Sequence, residues 1–170
     1  LTIAGDYGAD MALYISVEFV GSAVEKMSLS NRWTIANMGV EMGAKTAVFP
    51  VDKVTINFLK SIKIPKSKYS PINPDDNAIY DRELQYNLAI IEPVVAVPHG
   101  VDKVKPIKDV EGIEIQQCLL GTCTNGRLSD FRIAAKILKG ETIHPNVRLL
   151  ILPASRKIYL DALKEGLIKT

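Results

Sequence analysis

The residue types able to do chemistry gather in one short stretch, Gly121-Thr122-Cys123-Thr124-Asn125-Gly126-Arg127. Before it, residues 113–120 form an apolar, partly β-branched run that reads as a strand. After it, Leu128, Phe131, Ala134, Ala135 and Leu138 recur at helical spacing, and Gly140 closes the pattern. Cys123 is therefore expected on a tight turn at the carboxyl end of a strand, just ahead of a helix. Open α/β sheets bind their ligands there. Unpaired backbone N–H groups at such a turn favour thiolate over thiol. Three roles follow. Cys123 could pack as a small buried hydrophobe, although its Gly, Thr and Asn neighbours make a polar loop. It could be a nucleophile served by His99 or His144. It could be a metal or cluster ligand, which needs partners beyond one thiolate. Local physics leaves the three open.

A second group lies upstream. The spacing predicts a helix over 32–42, with Ser30 as N-cap and Gly43 as the residue just past its end. Ile35, Met38 and Met42 would face a core. Asn37 and Glu41 are four apart, which sets their Cβ atoms roughly 6 Å from each other on one face. Such a pair can converge on one ligand, or it can simply be a wet helix face. Glu18, in an alternating strand over 14–20, reads as solvated or ion-paired. His99 reads as a loop residue.

Residues 121–140 resemble the cluster-binding segment of the aconitase superfamily. Within that family they resemble the large subunits of the isopropylmalate dehydratase and homoaconitase branch. The segments Asn37-Met38-Gly39-Val40-Glu41-Met42-Gly43-Ala44-Lys45 and Glu92-Pro93-Val94-Val95-Ala96-Val97-Pro98-His99 carry the same likeness, in the same order. The resemblance implies an α/β fold made of two small units of the iron–sulfur domain type. It implies a hydro-lyase that moves a hydroxyl on a small hydroxy-acid by dehydration and rehydration, in amino-acid (leucine) biosynthesis. It also implies a 4Fe-4S cluster, with Cys123 as one of three thiolate ligands and Asn125 beside it, the other two cysteines lying outside this chain. Asn37 and Glu41 would be active-site residues. The partner would be a small subunit carrying a mobile domain. With one of three thiolates, the chain alone is expected to be inactive.

The elements that must position these residues read in order as follows. A strand over 46–50 is followed by a helix over 52–62, with Val54, Phe58 and Leu59 inward. Residues 61–81 are polar and proline-dotted, hence loop. Lys60, Lys63, Lys66 and Lys68 read as a solvated basic face. Leu84, Tyr86, Leu88 and Ile90 alternate as a strand. Prolines and a glycine place a boundary within 92–108, dividing the chain into units 1–98 and 99–170. An apolar strand over 147–152 leads to Ser155, a candidate cap for a last helix over 156–166. Strand, helix, strand in this order predicts a parallel crossover in the second unit. Cys118, on the strand before the loop, is expected in the core.

Composition narrows the classes. A formal net charge of +2 without like-charge blocks gives nucleic acid or a membrane surface no attraction. Apolar residues make up 47% of 170, enough for a sizeable core in one or two domains. Two cysteines make no disulfide framework, and a reducing, cytoplasmic setting is expected. No apolar run approaches the ~18–20 residues of a membrane span, and no secretory leader is read at the start. The opening resembles the interior of a domain, so a piece of a longer protein is expected. Two other classes compete. A phosphate-cradling strand–loop–helix lacks the glycine spacing of either nucleotide motif. A non-catalytic binding or RNA-contact domain is disfavoured by the charge.

Overall fold

Parallel strand pairs separated by helices make up the framework of the computed structural model, which describes residues 1–169. In the first, β1 (Ser16–Glu18) pairs with β2 (Thr46–Val48) in register Ser16 to Thr46. Between them run the helices α2 (Ser22–Lys26) and α3 (Leu29–Asn37). In the second, β5 (Gln117–Gly121) pairs with β6 (Arg148–Leu152), setting Gly121 opposite Leu152. The crossover is made by a single helical turn, α5 (Thr122–Asn125), and by α6 (Leu128–Leu138). The parallel strand–helix–strand predicted for the second unit is present, and α7 (Arg156–Lys164) follows it. The chain opens with α1 (Thr2–Tyr7), and α4 (Lys53–Ser61) follows β2. An antiparallel hairpin, β3 (Val94–Ala96) with β4 (Val104–Pro106), spans residues 98 and 99, where a boundary was expected.

Caps explain where the helices begin. Asp52 accepts from Val54 N and Thr55 N at the start of α4, and Ser155 accepts from Ile158 N at the start of α7. At α3 the cap is Ser28, which accepts from Asn31 N at 3.2 Å, two residues earlier than the sequence suggested. The same helix also ends sooner. Instead of running over 32–42, it stops at Asn37, and a separate 3-10 turn covers Val40–Met42. Asn37 and Glu41 are therefore not four apart on one helix, which corrects that expectation. Between the two lies Gly39, packed so close to β2 that a Cβ there would sit 2.6 Å from Ala47 Cβ. Gly43 then turns the chain with φ +77°, as its position just past the end required.

Two further expectations fail. Residues 84–90 form no strand; a 3-10 turn covers Leu88–Ile90, and Asn87 Oδ1 accepts from Ala89 N. Alternation alone does not make a strand where no partner edge pairs with it and asparagine offers the backbone a local bond. Cys118 is exposed, not core, because the β5–β6 pair has no third strand beside it among the described residues. The core itself is small. Ala4, Ala12 and Met42 form its centre, with Met11, Val17 and Phe19 packed against them.

Arg32 ties the first unit together. Only 1% exposed, it donates from Nη1 to Asp52 Oδ1 at 2.9 Å and from Nη2 to Asp52 Oδ2 at 2.6 Å. Its Nη2 also reaches Val24 O at 2.9 Å. One guanidinium thus joins α2, α3 and the cap of α4, in the bidentate geometry that suits arginine.

Candidate functional site

The cysteine loop is shaped by two glycines pressed against the end of β6. Gly121 has φ +144°, and a Cβ there would collide with the Leu152 carbonyl. At Gly126, a Cβ would lie 2.7 Å from both Ala154 N and Leu152 O. Gly126 N donates to Thr122 O, and Gly126 O accepts from Ala154 N, each at 2.9 Å. Between the glycines, Thr122 holds φ +69°, an uncommon conformation for a β-branched residue. The loop is thus a fixed turn that leaves Cys123 exposed at the carboxyl end of β5.

Helix α3 closes one side of this loop. Thr34 Oγ1 lies 3.1 Å from Thr124 O and 3.2 Å from Ser30 O, so its single proton serves two acceptors. Asn125 Nδ2 donates to Thr34 Oγ1 at 3.5 Å. Asn37 Nδ2 donates to Trp33 O at 2.8 Å and, at the 3.5 Å limit of a hydrogen bond, to Cys123 O. Arg127 Nη2 donates to Cys123 O at 2.6 Å, and its guanidinium lies 4.8 Å from the Trp33 ring centroid. Trp33 is braced in turn by an edge-on contact with Phe58 of α4, centroids 5.0 Å apart.

The structure therefore brings together Asn37, Cys123 and Asn125, three of the four residues singled out. It does not join Glu41 to them by any bond. Glu41 lies exposed on the 3-10 turn, and its carboxylate makes no hydrogen bond or ion pair among the described residues. Trp33, Thr34 and Arg127 were missed. Their signal was present, since Trp33, Thr34 and Asn37 share one strip of a helix at spacings of four and three. Neither histidine serves Cys123 as a base. His99 is exposed in the turn of the β3–β4 hairpin, and His144 Nδ1 accepts from Asn146 N at 3.2 Å.

The donor set fits one corner of a metal cluster. An exposed cysteine, a soft sulfur donor, stands beside side-chain amides, yet no three His, Cys, Asp or Glu residues converge among the described residues. No described helix is long and apolar enough to cross a membrane.

Comparison of the sequence with known proteins gives the family. The model of the aconitase family (aconitate hydratase) matches residues 1–111 and 103–170. This chain belongs to the aconitase family. It is 43% identical over 169 residues to the 3-isopropylmalate dehydratase large subunit 1 of Methanopyrus kandleri, covering 99% of this chain and 40% of that protein. It is 45% identical over 175 residues to the methanogen homoaconitase large subunit of Methanocaldococcus jannaschii, covering 99% and 42%. The large subunit 2 of 3-isopropylmalate dehydratase from Archaeoglobus fulgidus is 45% identical, with 99% and 40% covered. The chain thus spans about 40% of the length of the curated relatives it matches. Members of the family generally carry a 4Fe-4S cluster.

Proposed function

We propose that this chain is part of the large subunit of a 4Fe-4S hydro-lyase, with 3-isopropylmalate dehydratase the first reading and homoaconitase the alternative. One observation carries it. The exposed Cys123 loop is met by Asn37 from another unit, so the residues that the family resemblance singles out on two distant segments share one place. In the proposed whole protein, Cys123 is one thiolate ligand, and the remaining ligands come from elsewhere in the subunit. When bound, the cluster supplies a Lewis-acidic iron that polarises the hydroxyl and carboxylate of a small hydroxy-acid.

The residues of this chain hold and orient. The Asn37 amide orders the backbone of the ligand residue, and Asn125 braces the same loop through Thr34. Glu41, left without a partner here, is proposed to accept a hydrogen bond at the substrate side. A small subunit would supply a mobile domain over the site, as the name "large subunit" borne by the relatives suggests. The division into units 1–98 and 99–170 is proposed on the same footing. It is supported by one parallel strand pair in each.

The test uses the longer protein with its small subunit, reconstituted anaerobically with iron and sulfide. Cys123→Ser is expected to lower bound iron below four per subunit and abolish dehydration of isopropylmalate. Glu41→Gln is expected to keep the iron and lower kcat at least tenfold. Full iron content in Cys123→Ser would end the proposal, and an unchanged kcat in Glu41→Gln would end the role given to that carboxylate.

A further inference from the structure

We infer that Arg127 is a positioning residue. Clamped on Trp33, it docks the cysteine loop onto α3 and so sets the register between Cys123 and Asn37. Its role in the chemistry rests on the proposed function; the joint itself does not.

Arg127 is held at three points. Its backbone N–H donates to Asp130 Oδ2 at 2.9 Å, which fixes the residue at the start of α6. Its Nη2 bonds the Cys123 carbonyl at 2.6 Å, a short charge-assisted bond. Its guanidinium plane lies over the only tryptophan of the chain. Nε is buried with no acceptor among the described residues, so this group gives up one hydrogen bond to keep its place on the ring. A side chain held only for its charge would keep all its donors wet. Here the planar fork is used as a bracket, with one end on an aromatic face and the other on the ligand residue's carbonyl. Lysine has the charge and N–H donors but no planar group to lie on the ring.

Asn37 reaches the same carbonyl from the other side at the limit of bonding distance. The Cys123 carbonyl therefore has one strong anchor and one weak one, and the strong one is Arg127. The direction in which the Cys123 side chain leaves the loop follows from how that carbonyl is held.

A distance reading between the loop and Trp33 tests this without iron or substrate. In a Cys118→Ser background, a bimane attached to Cys123 is quenched when it contacts Trp33. Strong quenching is expected with Arg127 present. Arg127→Gln is expected to lose at least half of it with the circular dichroism spectrum unchanged, because the loop leaves α3 while the fold stays. Arg127→Lys is expected to lose nearly as much, and it is the variant read if Arg127→Gln does not fold. Quenching retained in a folded variant would overturn the inference. Retained iron loading in the longer protein with the joint broken would leave the proposed function standing and confine Arg127 to holding the loop. An intact joint in a longer protein that binds no iron would sink the proposed function alone.

Discussion

At the scale of single residues, Asp52 does two tasks that can be separated. Its Oδ1 caps α4 through Val54 N and Thr55 N, while both oxygens meet the buried Arg32. The hydrogen bond from Arg32 holds its carboxyl below the ordinary value of 3.8, the cap bonds acting in the same direction. A depressed folded pKa adds stability that is complete above the unfolded value, near pH 4, and is lost as pH falls through the folded one. Asp52→Asn keeps a good cap but removes the charge, leaving a buried guanidinium uncompensated. It is expected to lose about 3 kcal/mol at pH 7. Urea unfolding followed by circular dichroism should show a gap from the natural protein that is flat from pH 8 to 5 and narrows below pH 4. A gap that stays constant to pH 3 would assign the effect to packing instead. None of this was legible in the sequence. Asp52 stood out only as the first residue of a helical pattern, and its partner lies twenty positions away. Cys123 was legible because its loop is local: glycines, threonines and an asparagine between a strand and a helix constrain each other within seven residues.

At the scale of elements, what could be read depended on whether an element's ends are set locally. Helices α6 and α7 came out close to expectation, since their apolar spacing and stop or cap signals lie within the segments. Helix α3 did not. Its pattern runs on to Met42, but the neighbouring strand β2 leaves no space for Gly39 to carry a side chain. The sequence shows the periodicity, while the close approach of Gly39 to a strand that arrives later in the chain could not be read from it. Two residues in contact should therefore be coupled. Gly39→Ala is expected to destabilise the chain by about 2 kcal/mol, within the range for overpacking. Adding Ala47→Gly should recover at least half of that, and the double-mutant cycle in urea measures the coupling. Strict additivity would show that the cost of the added methyl arises somewhere other than this contact. The break also matters for the site. It ends α3 just where Asn37 faces the cysteine loop, and it places Glu41 on a separate turn with a direction of its own.

At the scale of the whole molecule, surface area decides what kind of object this is. A folded monomer of this mass, 18.7 kDa, exposes about 8,300 Å² by the usual scaling. The chain exposes 12703 Å², about half as much again. Apolar content suggested a sizeable core, yet the residues that would fill it lie outside. Ile133 and Ile137 on α6 are 61% and 69% exposed, and Leu119 on β5 is 47% exposed. Parallel strands are normally covered on both faces, so a two-stranded parallel pair with exposed leucines is an unfinished sheet. Large apolar patches are unusual on the surface of a stable monomer. The 170-residue chain taken alone is therefore expected to bind a hydrophobic dye and to associate with a concentration-dependent sedimentation coefficient between 5 and about 100 µM. Replacing Ile133 and Ile137 with lysine should weaken the association without altering the circular dichroism, since both side chains point into solvent. The same two lysines in the longer protein should lower its yield of folded material, because there the positions would be buried. A dye-silent monomer at the highest concentration would mean that the chain folds its exposed isoleucines inward, and the unfinished-sheet reading would fail with it.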